Sequence, residues 1–143
     1  MKNADEIKIG YFKNFNDRDT VLFSCSPLGI ELLKTLFQNF ATNSAREIFI
    51  DELPFVHKKY KVKIKIISSN KFSSIRKINN NFIWELTKRS CEYFSNLMDG
   101  LSERRGHQYL ESYQDDDLQV IVACGEYDDK WWGKNFELGL KDL

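Results

Sequence analysis

Chemistry in this chain would have to come from very few side chains. Only two histidines, His57 and His107, and three cysteines, Cys25, Cys91 and Cys124, are present. His107, Cys124 and Glu126 make a nominal base, nucleophile and carboxylate set. The same residues have a plainer reading. A histidine at the start of a strand usually makes a structural hydrogen bond, and a cysteine within an apolar strand usually belongs to the core. Glycine-rich phosphate loops, paired-cysteine motifs and closely spaced histidine pairs are missing. The expectation is therefore a protein without catalytic residues, metal or cofactor.

The charged residues say more. Lys+Arg and Asp+Glu are 21 each, yet the two signs are segregated. From Lys58 to Lys77 there are eight basic residues and no acid; from Glu111 to Asp129 there are seven acids and no Lys or Arg. Two solvated surfaces would carry such charges without any ligand. A docking surface would carry them too. The acidic stretch also holds Tyr113 and Tyr127, and Trp131 and Trp132 follow it. Aromatics supply desolvated contact area, and carboxylates steer and register a basic partner. The candidate partner-binding residues are Glu111, Tyr113, Asp115, Asp116, Asp117, Glu126, Tyr127, Asp128, Asp129 and Trp131. A basic partner of this kind is typified by a nuclease, whose cleft holds phosphates. The alternative is nucleic-acid binding through Lys61, Lys63 and Lys65, which would track a phosphate backbone from one open strand face. Lysines on an exposed edge also deter strand aggregation.

These residues need elements to hold them. Tyr60 to Ile67 alternates lysine with Val62, Ile64 and Ile66, the signature of a strand with one wet face. Phe82–Leu86 is short, aromatic and β-branched, so it reads as a strand. Thr87 then caps a helix over residues 88–101, with Cys91, Phe94, Leu97, Met98 and Leu101 on one side. Gly106–Glu111 and Leu118–Cys124 read as two further strands joined by an acidic turn.

The same outline occurs earlier. Sliding residues 21–40 onto 82–101 lays Val21 over Phe82, Ser26 over Thr87, and Ile30, Leu33, Leu36, Phe37 and Phe40 over the apolar face of the second helix. Arg46–Asp51 then falls on Gly106–Glu111, and Val62–Ile67 on Leu118–Ala123. Strands at Ile7–Phe12 and Phe72–Ile78 extend each unit to ββαββ, giving pseudo-repeats at about 7–68 and 72–127. Glu47–Leu53 reads as a strand ended by Pro54. The tail from Asp128 to Phe136 would pack on the sheet or sit at an interface. The expected fold is α+β: a largely antiparallel sheet with two helices on one face, formed by two related halves of one domain spanning 1–143.

Bulk properties agree with one folded domain. Of 143 residues, 42% are apolar and 14% aromatic, with only two prolines and seven glycines. Zero net charge gives no global pull toward nucleic acid or membrane. No apolar run reaches the ~18–20 residues that span a bilayer, and the polar residues 1–6 lack a signal-peptide core. A cytoplasmic protein with reduced thiols is expected.

Gly106–Glu111, followed by Leu118–Val122 and Cys124-Gly125-Glu126-Tyr127, resembles a segment of bacterial immunity proteins of polymorphic toxin systems, including contact-dependent growth inhibition. The strand and helix at Phe82–Leu101 fit that setting, so the resemblance covers about a third of the chain. It implies a non-enzymatic, intracellular protein that binds one cognate toxin domain and occludes its active site.

Overall fold

The computed structural model describes residues 5–15, 17–42, 45–58, 62–79, 81–111 and 118–140, with side chains as far as residue 135. The chain runs β1 (Ile7–Phe15), β2 (Arg18–Cys25), α1 (Pro27–Ala41), β3 (Glu47–Phe49), β4 (Lys63–Ser68), β5 (Ser74–Ile78), β6 (Asn81–Leu86), α2 (Lys88–Leu97), β7 (Gly106–Tyr109), β8 (Leu118–Cys124) and α3 (Asp129–Leu140). The fold is α+β, and most strand pairs are antiparallel.

The starts of α1 and α2 follow from local chemistry. Ser26 and Thr87 keep extended backbone and accept hydrogen bonds from Gly29 N–H and Ser90 N–H. Each side chain thereby satisfies one of the amides a helix start leaves unpaired. Pro27 supplies a pre-set φ in the first turn. Both helices turn their apolar stripes inward: Ile30, Leu33, Phe37 and Phe40 from α1, Cys91 and Phe94 from α2.

Where one sheet was expected, there are two. The first has the order β1-β2-β8-β7, the second β3-β4-β6-β5. Each half of the chain is divided between them. The hairpin β1–β2 enters the first sheet, and β3–β4 enters the second; β5–β6 enters the second, and β7–β8 the first. The halves meet at one parallel pair in each sheet, β2–β8 and β4–β6. These junctions are equivalent. Val21 pairs with Val120, and their counterparts in the sequence overlay, Phe82 and Ile64, pair with each other. Alternation told which residues face the core, but not which strands are neighbours.

The inner faces of both sheets and the adjacent helices α1 and α2 enclose one core. Trp84 lies at its centre, with Phe23, Phe37 and Phe94 at ring separations of 6.0, 5.7 and 5.8 Å. Two helices on one face were expected, but α3 makes a third on the opposite face of the first sheet. It buries Trp132 against Phe12, Leu22, Ile121 and Ala123. Gly10 makes this approach possible. A Cβ there would lie 2.6 Å from the Phe12 ring and 2.7 Å from the Trp132 ring. Gly10→Val should therefore push α3 off the sheet and leave the inner core folded. The measurement is tryptophan emission, which should shift to the red as Trp132 meets water. An unshifted spectrum would show that the ring is not held this way.

Two elements are shorter than their sequence pattern. The run expected as a strand over Glu47–Leu53 stops at Phe49, and a 3-10 turn covers Ile50–Glu52. There the Asp51 carboxylate accepts the Ile64 N–H at 2.8 Å, replacing a ladder bond with a side-chain one. Helix α2 ends at Leu97, and a second 3-10 turn at Leu101–Glu103 carries Leu101 into the core.

Candidate functional site

The acidic stretch is anchored by its carboxylates. Glu111, expected in the strand Gly106–Glu111, lies two residues past β7, which ends at Tyr109; it pairs with Arg18 at 2.7 Å, and Arg18 also donates to the Leu118 carbonyl at 2.9 Å. Arg18 thus ties Glu111 to the start of β8. Glu126, in the turn after β8, meets His107 Nδ1 of β7 at 2.6 Å. Asp128 accepts the Trp131 N–H at 2.8 Å, capping α3. Asp129 accepts a hydrogen bond from Lys8 of β1, whose ammonium holds its carboxyl below the ordinary range. All four therefore position β7 and α3. Tyr113, Asp115, Asp116 and Asp117 lie outside the described residues.

The aromatic members come together. Tyr127 and Trp131 have ring centroids 4.5 Å apart. Phe15, from the end of β1, lies 6.1 Å from Tyr127 and 6.2 Å from Trp131. All three are half-buried beside the buried Trp132. Burial, with Glu126 nearby, raises the pKa of the Tyr127 hydroxyl, so it stays a neutral donor at neutral pH. Phe15 was not among the expected site residues. Its distance in sequence from Trp131 hid it, since only the closing of β1, β2 and β8 into one sheet brings them together.

The nominal catalytic set is not assembled. His107 and Glu126 meet, but Cys124 points into the inner core whereas His107 stands on the outer face. His107 is the register partner of Ala123, whose side chain packs outward. Burial raises the Cys124 pKa, leaving a protonated, poorly nucleophilic thiol. No cluster of three or more His, Cys, Asp or Glu that could hold a metal occurs among the described residues.

The lysine strand is β4. Lys63 and Lys65 leave its outer face, while Lys61 lies outside the described residues. Lys65 pairs with Glu47 at 2.6 Å and sits over the exposed Phe49 ring. Arg76, on the same face, pairs with Glu85 at 2.6 Å. This face is a mixed, largely compensated surface.

Fold and site together define an α+β protein with a clustered aromatic surface and an internally braced acidic segment. Comparison with protein-family models, curated proteins and solved structures finds no match. No helix among the described residues is long and apolar enough to cross a membrane.

Proposed function

We propose that this chain is an immunity protein: it binds a cognate toxin domain, a basic nuclease, and occludes its active site without chemistry of its own. The observation carrying this reading is the Phe15–Tyr127–Trp131 cluster, partly exposed beside the Gly106–Glu111 and Leu118–Tyr127 segments that resemble immunity proteins. Rings already packed against one another lose little freedom when a partner covers them, and Tyr and Trp are the commonest energetic anchors of interfaces. Glu111, Glu126, Asp128 and Asp129 hold the platform in shape. Steering then falls chiefly to Asp115, Asp116 and Asp117.

The test is inhibition of the nuclease toxin domain encoded beside this chain. Stoichiometric inhibition is expected. Changing Asp115, Asp116 and Asp117 together to lysine should slow association roughly 10- to 1000-fold at low salt, with the gap narrowing as salt rises. Full protection by that variant would reject these aspartates as the steering element. A toxin unaffected by the unaltered protein would reject the proposal itself.

The alternative, nucleic-acid binding, draws on Lys63, Lys65 and the exposed Phe49 of the second sheet. Phosphate tracking needs uncompensated cations, and Lys65 and Arg76 already face carboxylates. Absence of binding to single-stranded DNA or RNA at low salt removes this reading.

A further inference from the structure

We propose that Cys25 and Cys124 form a reversible disulfide, an oxidation site that staples the first half of the chain to the second. Three observations place them together. They are register partners at the ends of the adjacent parallel strands β2 and β8. Both side chains belong to the inner core, so both leave the same face of the sheet. Both are free thiols.

Neighbouring strands lie about 4.7–4.9 Å apart, inside the roughly 4.4–6.8 Å between Cα atoms that a disulfide spans. Each cysteine closes its strand, with Ser26 and Gly125 beyond. The bond requires Cβ atoms about 3.5–4.5 Å apart, and a pair at its strand ends has fewer ladder bonds holding it than one at the strand centres. Cys91 sits on α2, away from this pair in the strand register, and serves as the internal control.

The resting pair is protonated. Burial, then the neighbouring Cys124, raises the Cys25 pKa, and burial raises that of Cys124. Oxidation by a small peroxide is therefore slow at neutral pH and accelerates in mild alkali, because the thiolate is the nucleophile. One thiol loses its proton, the thiolate attacks a peroxide oxygen, the O–O bond breaks to give a sulfenic acid and hydroxide, and the hydroxide takes up that proton as water. The second thiol attacks that sulfur and expels a second water. In all, two thiols and one hydrogen peroxide give one disulfide and two waters. A dithiol reductant reverses the change.

The junction makes this bond consequential. β2 belongs to the first half and β8 to the second, so the link closes nearly the whole core in one loop. Long closed loops restrict the unfolded chain most.

The experiment treats the native protein with hydrogen peroxide and follows intact mass, thiol count after denaturation, and peptide linkage. The proposal expects loss of two hydrogens, a fall from three titratable thiols to one, and a peptide joining Cys25 to Cys124. The urea midpoint of the oxidised form should rise by ~1 M or more and fall back on reduction. Cys91→Ser should keep the link; Cys25→Ser and Cys124→Ala should each abolish it. Linkage through Cys91, gain of oxygen atoms in place of hydrogen loss, dimers joined between chains, or three unchanged thiols would each overturn the proposal. The mapping on the unaltered protein decides the matter even if a variant fails to fold.

Discussion

Trp84→Ala should destabilise the fold by about 3–5 kcal/mol, the range for emptying a large aromatic site in a core. Trp84 belongs to β6 of the second sheet, yet its ring stacks on Phe23 of the first sheet and meets Phe37 of α1 and Phe94 of α2. Both sheets and both inner helices therefore lose a contact at once, and none can close the space alone. Trp84→Phe should cost much less. The indole Nε1 is buried without a hydrogen-bond partner among the described residues. Removing it abolishes an unmet donor that costs about 1–3 kcal/mol, which offsets part of the lost packing. Urea unfolding of the three proteins measures the contrast. Equal losses in the two variants would mean that the indole nitrogen is satisfied after all.

Gly29→Ala is the second large effect expected, and it acts through the backbone. Gly29 occupies the first turn of α1, where an added Cβ would collide with the carbonyl oxygen of Glu6. That oxygen cannot withdraw cheaply, because it accepts the Ser26 N–H at 2.9 Å. Glu6 also turns its side chain to the Ser26 hydroxyl, which caps the helix. Relieving the clash thus strains the cap and the entry to β1 together. Overpacking of this kind costs about 1–3 kcal/mol, and the lost cap adds about 1 kcal/mol. The outcome is opposite to the usual gain from glycine-to-alanine replacement in a helix. Measured stability equal to or above that of the parent would show that Glu6 yields freely.

What the sequence disclosed was local. Ser26, Pro27 and the spacing from Ile30 to Phe40 mark α1 over Pro27–Ala41, where it lies. The alternation through Val62, Ile64 and Ile66 marks the buried side of β4. What it withheld was the pairing of strands far apart in the chain. Both central pairs are parallel and join residues of opposite halves, and no short-range pattern encodes a neighbour so far away. The helix at Asp129–Leu140 does carry a local signal: Asp128 is a capping type, and Trp132 and Phe136 are spaced one turn apart. The carboxylates of the candidate site read as a free patch because their partners, Lys8, Arg18 and His107, are remote in sequence. Composition counts charges; only the closed sheet shows which ones are already engaged.

The exchange of strands between halves also governs the order in which a nascent chain can gain structure. When residues as far as β4 have left the ribosome, β2 and β4 each still present an open edge, because their parallel neighbours β8 and β6 come later. Isolated two-stranded ribbons are marginal in water, so neither early hairpin has a sheet to join. The second sheet closes once β6 emerges, and the first must wait for β8, the last strand among the described residues. The first sheet therefore cannot close until residues as far as Cys124 have emerged, and a premature stop before β8 leaves β1–β2 an orphan ribbon.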